Sequence, residues 1–510
     1  MPSSLSPPSP PSPPAEPPAR PGRLDRVLRP FARVEPGEGL VALLMAACVF
    51  LILTSYYLMK TAREGLILAG GTFGLGGDEL KTYASGAMAL LFVGIVPAYS
   101  RFANRVRRIR LINVSYAIVM GCLAVFFVFG RAGVPVGLPF FIWLGLVNVF
   151  LIAQFWSYAN DLYTEEQGKR LFAIIATGGS LGAIAGPYLA KLAETFTVML
   201  IAAGILAGCI ALFGLIERLH HQQARDARVA AAPIEGEGGF GLVLRDRYLL
   251  LIGVMLLVLN LVNTTGEYVL SNAVRDHAYQ VVPATAHAEL ADAGARAAAI
   301  EADRREVIKA FYADFFTWVN LVGFLIQAFL VSRVIQHIGV RRALFVMPVI
   351  AFGAYGAIGL VGGIALVRAA KIAENSTDYS LQNTVRQALF LPTSRAVKYK
   401  AKAAIDTFFV RAGDTLSAVL VGLGVHQLGL SGPELAFVNM GLVVVWIALA
   451  AGIARRHRAL SAEPEPGEVG EAAVASAHAQ AARGARDPRQ PAPVRRPTLP
   501  GPGAVAPGRS

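Results

Sequence analysis

The length of its apolar runs restricts this chain more than any other feature. Blocks of roughly 20 mostly apolar residues recur, and that is the length at which a helix crosses the hydrocarbon of a bilayer. They fall at 40–60, 82–100, 110–130, 137–160, 171–192 and 197–216, and after a polar gap at 248–272, 311–335, 343–360, 363–391, 403–428 and 434–454. Only 16% of the residues are charged and 55% are hydrophobic, against about 25% and about 45–50% in soluble domains. The expected fold class is therefore all-α, a polytopic membrane protein of about 12 transmembrane helices.

The net charge of +13 is distributed as a topology signal. Arg20, Arg23, Arg26, Arg29 and Arg33 precede the first run. Arg101, Arg105, Arg107, Arg108 and Arg110 follow the second, and Arg218, Arg225, Arg228, Arg245 and Arg247 fill the central gap. Arg455, Arg456 and Arg458 follow the last. Alternate loops are poor in Lys and Arg, apart from 273–310, where basic and acidic residues mix. This positive-inside pattern places both termini in the cytoplasm of a cell inner or plasma membrane. The partner is then the lipid bilayer, and no nucleic acid is expected. Cys48, Cys122 and Cys209 lie within apolar runs and offer no disulfide framework. Residues 1–38, rich in Pro and Arg, and 457–510 read as disordered cytoplasmic tails.

The gap at 217–247 divides the runs into an N-terminal half, 39–216, and a C-terminal half, 248–456, with an external insert at 273–310. The halves carry matching landmarks. "SRFANRVRRIRLI" follows the second run and "SRVIQHIGVRRALF" the eighth; "LYTEEQGKRLFAI" follows the fourth and "LPTSRAVKYKAKAAI" the tenth. Two parallel six-helix halves resemble the architecture of the major facilitator superfamily, in which substrate binds between the halves. "GAIAGP" at 182–187 resembles an antiporter element of that superfamily. Small residues four apart also permit close helix packing.

Charge in hydrocarbon costs roughly 2.5–3.5 kcal/mol per residue on insertion scales, so it usually faces the bundle interior. Lys60, Arg63 and Glu64 end the first run. Asn260, Asn263, Thr264 and Glu267 lie in the seventh, with Glu267 well inside it, and Asp314 opens the eighth. The tenth carries Arg368, Lys371, Glu374, Asp378 and Arg386; the eleventh carries Lys402, Asp406, Arg411 and Asp414. Lys371, Glu374 and Asp378 share a helical face and can pair, as can Arg411 with Asp414 and Lys402 with Asp406. Such pairs can hold helices in register or line a path for a hydrophilic substrate. Cations exceed nearby acids around Lys60 and Arg63, which favours an anion. No histidine has a partner at metal-ligand spacing. The Gly-rich stretch 70–79 lacks the Lys-Ser/Thr of a phosphate loop and reads as a flexible loop outside the membrane. The chain is not expected to be an enzyme, and no cofactor or metal is expected.

Several stretches together resemble one family. "FWSYANDLYTEEQGKRLF" is similar to the F-W-x-F-A-N-[DE]-[IL] … E-A-K-R signature of the bacterial and plastid-type ATP/ADP translocases. "LMKTAREGLIL" is similar to that family's first-helix end and "LNLVNTTGEYVL" to its seventh helix. "DYSLQNTVRQALFLPTSRAVKYKAKAAIDTFFVRAG" is similar to its tenth-to-eleventh helix stretch. The resemblance spans about 40–455 and implies exchange of ATP for ADP, or proton-coupled nucleotide import, with intramembrane Lys, Arg and Glu serving phosphate binding and coupling. By position it implies roles for Arg63, Glu64, Asp161, Glu267, Arg386, Lys402, Asp406 and Arg411. Asn160 and Asp161 would cap the fourth helix at a cytoplasmic mouth, where Lys169 and Arg170 open the next. Two departures stand out. The family's F-D-P-T-K-E becomes "QNTVRQ" at 382–387, and its R-x-G-K becomes "RAGD", so that Asp414 replaces a lysine. An acid there repels phosphate or neutralises Arg411. The expected function is a transporter of nucleotides or a related organic anion by alternating access. A proton-coupled carrier of another organic solute, and a membrane sensor or scaffold that does not transport, remain as alternatives.

Overall fold

The computed structural model describes residues 24, 34–71, 74–103, 108–220, 239–390, 393 and 401–460. Most of the expected tails and of the central linker, and residues 394–400, lie outside these residues.

The chain is helical throughout the described residues, as expected of a backbone that must satisfy its own hydrogen bonds in hydrocarbon. The first six long helices are α1 (Glu38–Ala69), α2 (Gly77–Ala103), α3 (Arg108–Arg131), α4 (Gly137–Leu162), α5 (Glu165–Ala190) and α6 (Thr195–His220). A short α7 (Gly239–Arg245) leads into α8 (Arg247–Val281) and α9 (Ala293–Leu325). A π-helical segment, Ile326–Leu330, joins α9 to α10 (Val331–Ala343), which breaks at Gly339 (φ 75°). Then follow α11 (Val346–Val361), α12 (Ile364–Thr377), a second π segment at Asp378–Gln382, and α13 (Asn383–Ala388). The last elements are α14 (Lys402–Ala404), a third π segment at Ile405–Phe409, α15 (Val410–His426) and α16 (Gly432–Leu460).

Nine helices among the described residues are long and apolar enough to cross a membrane. The remaining expected runs fall on α2, on the 16-residue α11, and on α12–α13, whose charges lower its hydropathy. The protein is a multi-pass membrane protein. We call the side on which α1 begins the near face and the side on which it ends the far face.

Several helices outrun the apolar blocks. The 32 residues of α1 span about 48 Å, well beyond a bilayer core of about 30 Å. Lys60, Arg63 and Glu64 are therefore interior to the helix rather than at its end. Asp314 does not open its helix either, because α9 starts at Ala293, capped by Asp292 accepting from the Ala295 amide at 2.6 Å. Most of the 273–310 insert is thus helical extension of α8 and α9. Arg304 closes the connection, donating to the Val282 carbonyl at 3.0 Å and lying 3.7 Å from the Tyr279 ring centre.

At the near face, the polar end of α4 is a helix–turn–helix. Asn160 and Asp161 are exposed within the last turn of α4 and do not cap it, because the helix runs on to Leu162. The cap belongs to α5. Thr164 Oγ1 accepts from the Gln167 amide at 3.3 Å and Gln167 Oε1 from the Thr164 amide at 3.1 Å. Such a box satisfies two orphan donors reciprocally. Arg170 then grips Glu38 at the start of α1 with both guanidinium nitrogens, at 3.1 and 3.0 Å.

Between α1 and α5, packing explains the "GAIAGP" element. A Cβ on Gly178, Gly182 or Gly186 would meet the carbonyl oxygens of Ala46, Phe50 and Thr54 at 2.2, 2.3 and 2.6 Å. Three glycines four apart let two backbones touch along about two turns. That stretch is a packing seam.

Candidate functional site

The charged residues of several helices converge near the far face. Arg63 and Glu64 lie about one and a half turns before the end of α1, Lys81 near the start of α2, and Lys371 and Glu374 toward the middle of α12. Glu267 comes from the far half of α8. Because α1 and α8 run toward the far face while α2 and α12 begin there, these positions meet at one depth.

They form an alternating ladder. The Arg63 guanidinium binds Glu64 Oε1, its Nε at 3.1 Å. Glu64 Oε2 faces Lys81 Nζ at 2.8 Å. Lys81 is 3.7 Å from Glu267 Oε2, and Glu267 Oε1 is 3.8 Å from Lys371 Nζ. Lys371 closes on Glu374 at 2.7 Å, and the Tyr355 hydroxyl donates to the other Glu374 oxygen at 2.7 Å. Three cations thus alternate with three carboxylates, linking α1 and α2 to α8 and α12.

The ladder is uneven. Glu64, Glu374 and Lys371 have side chains only 1%, 1% and 0% exposed. A buried charge loses several kcal/mol of hydration and persists only if tightly paired. Glu267, by contrast, is 27% exposed and sits between its two lysines at the longest distances in the ladder, with Asn375 Nδ2 donating at 3.1 Å. It is the weakest link and the one between the first six and the last six passes.

Other links join the same two sets at the far face. Asp78 receives Arg275 and, at 2.9 Å, Asn272 Nδ2. Glu306 accepts from the Thr195 amide and hydroxyl at 3.1 and 2.6 Å. Lys191 pairs with Asp314, and Lys309 donates to the Ala193 carbonyl. The expectation of a flexible Gly-rich loop at 70–79 therefore fails at its end. Gly77–Glu79 are the first residues of α2, and the buried Asp78 sits where a helix N-terminus favours a carboxylate.

Below the ladder, Lys60 has a different environment. Among the described residues no carboxylate lies within ion-pair distance of it. Its ammonium rests 4.1 Å from the Phe316 ring centre and 5.2 Å from that of Tyr57. Tyr57 also meets Tyr56 and Phe316 edge-on, at 5.2 and 6.3 Å. On the π segment Asp378–Gln382, Tyr379 is exposed.

The remaining candidates divide in two. Lys402 pairs with Asp406 at 3.0 Å and Arg411 with Asp414 at 3.1 Å. Asp414 also accepts from Asn260 and, at 2.8 Å, from Thr264. The acid that replaces a lysine thus neutralises Arg411 and ties α15 to α8. Arg386 is less occupied. It donates to Asn383 Oδ1 at 3.2 Å, while its buried Nε has no partner, and Asp378 lies within electrostatic range. The pairing expected from spacing forms between Lys371 and Glu374 but leaves Asp378 out. Asn160 and Asp161 are remote from the ladder, in the last turn of α4 at the near face.

Sequence reasoning missed Lys81, which carries the ladder from α1 to α8. Its only local signal is a cation after an acidic pair at the edge of an apolar run, which reads as an interfacial residue.

Comparison with known proteins agrees with this architecture. The family model described as Major Facilitator Superfamily matches residues 3–187. The chain is 22% identical over 376 residues to ADP,ATP carrier protein 1 of Chlamydia trachomatis serovar D, covering 64% of this chain and 66% of that protein. The protein of the same description from Chlamydia muridarum is also 22% identical, over 64% of this chain and 65% of its own length. The match thus spans just under two thirds of these relatives. Among solved structures, the nucleoside transporter NupG aligns with a TM-score of 0.54 at 12% identity, over 83% of this chain and 100% of that one. A POT family transporter in complex with 5-aminolevulinic acid aligns with a TM-score of 0.56 at 13% identity, over 80% and 96%. The chain has a major-facilitator-type transporter fold and is similar in sequence, at 22% identity, to ADP,ATP carrier proteins.

Proposed function

We propose that this protein exchanges nucleotides, or closely related organic anions, across a cell inner or plasma membrane by alternating access. The observation that carries the reading is the uneven ladder, tightly paired at both ends and loosely paired at Glu267, where the two sets of passes meet. A gate must be stable yet breakable, and a carboxylate between two lysines at 3.7 and 3.8 Å fits that requirement. Lys60 and Arg386 are the cations with unmet capacity, so they are the phosphate-binding groups of this reading. Arg63, Lys81 and Lys371 are spoken for while the ladder is closed. A bound polyanion attracts them, competes with Glu267 and favours opening of the far face.

The resemblance to ADP,ATP carrier proteins supports exchange in particular. The near face, with its basic loops, is then cytoplasmic, along with both termini. Arg411 and Asp414 act together as a helix tie, and a shorter phosphate chain than ATP is compatible with that loss of a free cation. The alternative of proton-coupled uptake draws on the same loosely held Glu267, which can carry a proton when its lysines turn to substrate. The experiment is uptake of labelled ATP and ADP into proteoliposomes, with and without internal ADP and with and without an uncoupler. Exchange requires stimulation by internal ADP and indifference to the uncoupler. Collapse on uncoupling establishes the proton-coupled reading, and no uptake by folded protein rejects both.

A further inference from the structure

The polar links between α9 and the end of α5 follow one antiparallel order. Glu306 meets Thr195, Lys309 the Ala193 carbonyl, Asp314 meets Lys191, and Asn320 the Ala183 carbonyl. Numbers rise along α9 as they fall through the α5–α6 connection and back up α5. The first three links lie at the far-face end and involve charged side chains. The fourth is different. Asn320 Nδ2 donates to the Ala183 carbonyl at 2.9 Å and to the Phe316 carbonyl of its own helix at 2.8 Å. With two carbonyls facing it, that end of the amide is the nitrogen, and both of its protons are used. The residue four places after Ala183, whose amide would ordinarily donate to this carbonyl, is Pro187, which has no N–H. The helix nevertheless continues through it to Ala190. A carbonyl freed by proline in a bilayer needs a donor from a neighbouring helix, a side chain or water. Here the donor comes from the last six passes.

We propose that Asn320 is the inner latch of the far face. It holds α9 against α5 through the carbonyl that Pro187 leaves free, and so sets how strongly the resting protein favours the far-closed form. This rests on the reading of the protein as an alternating-access transporter, and it adds to the charged ladder an uncharged positioning residue that controls the same opening. The packing on the other side of α5 decides which contact yields. That side is pressed to α1 along Gly178, Gly182 and Gly186, where a Cβ would lie 2.2, 2.3 and 2.6 Å from carbonyl oxygens. The two helices therefore move together, and opening of the far face parts both from α9. Parting strips the Ala183 carbonyl of its donor, whereas an ordinary helix carbonyl would keep its own amide. The cost falls on the open form alone, until water enters to replace the bond. Nearer the surface, Lys191 and Asp314 are 36% and 38% exposed, and so wet a pair contributes little. The deepest link in the row carries the bias.

The test is a double-mutant cycle read as a distance in the reconstituted full chain, with Cys48, Cys122 and Cys209 replaced by alanine. Spin labels on Val134→Cys and Leu428→Cys, exposed positions on the α3–α4 and α15–α16 connections, report the ratio of far-open to far-closed protein. Asn320→Leu is expected to raise that ratio about fivefold to tenfold. Pro187→Ala restores an amide to the helix, so it is expected to raise the ratio by itself and to make Asn320 dispensable. In that background Asn320→Leu is expected to change the ratio by less than about twofold. An equal shift by Asn320→Leu in both backgrounds would make the contact ordinary packing and overturn the latch. So would an unchanged ratio in Pro187→Ala alone, a substitution that adds a helix hydrogen bond and keeps the fold. A wild type that holds one far-face distance with and without ATP and ADP on either side is a different failure and rejects alternating access itself.

Discussion

Glu64 and Glu267 are both intramembrane glutamates paired to Lys81, yet their surroundings assign them opposite work. Glu64 is 1% exposed and held by Arg63 and Lys81. Removing one partner of a dry pair strands the other, at a cost of about 3–5 kcal/mol. Glu64→Gln is therefore expected to lower stability by about that amount in equilibrium unfolding from detergent micelles. Glu267 is partly wet and its lysines stand farther off, so Glu267→Gln is expected to cost about 1 kcal/mol or less while abolishing exchange. Equal destabilisation by the two variants would make Glu267 a structural pair and remove it from the gate. Glu267 was legible in the sequence, being a lone acid in an otherwise uncharged run. Lys81 was not, because its meaning depends on where α1 and α8 end. The length of α1 was hidden as well: the apolar pattern stops near residue 60, while hydrogen bonding and buried pairs carry the helix on to Ala69.

Element contacts have their own predictions. The α1–α5 seam leaves no room for a side chain at Gly182, where a Cβ would lie 2.3 Å from the Phe50 carbonyl oxygen. Gly182→Leu must push the helices apart, and overpacking of this kind typically costs about 1–3 kcal/mol. Reduced thermal stability of the purified variant is the expected result. An unchanged midpoint would mean that the seam separates at little cost. The spacing of these glycines was visible in the sequence, but which helix they face was not.

On the far-face connection between α8 and α9, His287 is flanked by Asp303 at 2.7 Å and Glu289 at 3.4 Å. Its bond to Asp303 and the two carboxylate charges raise its pKa above the ordinary 6.5. The sign follows directly. Because the folded value is raised, the stabilisation is full below pH 6.5 and is lost as pH rises through the higher folded value. Protection of the 282–292 amides against hydrogen exchange, corrected for intrinsic rate, is expected to fall across that interval. His287→Asn is expected to flatten the profile, and a profile unaffected by that substitution would assign the effect to another group.

At the scale of the whole molecule, a polytopic helical protein of about 12 passes was readable because bilayer thickness dictates block length. The convergence of charge at one depth was not readable, since it arises from antiparallel helices meeting at different points along their sequences. The resemblance to ATP/ADP translocases implied roles for residues that the structure places in separate groups. Arg63, Glu64 and Glu267 stand in the ladder. Lys402, Asp406, Arg411 and Asp414 pair within their own pass, and Asn160 and Asp161 lie at the near face. What the fold adds is an ordering: an alternating ladder of charges near the far face, with one weak link in it at Glu267.

That ordering is tested most directly by counterflow of labelled ATP in proteoliposomes containing either the wild type or Glu267→Gln, each loaded with ADP. The account predicts transient accumulation of label by the wild type only when ADP is inside, and none by the folded Glu267→Gln variant. Accumulation by the variant at the wild-type rate would contradict it, since the carboxylate at the junction of the two sets of passes would then have no part in transport.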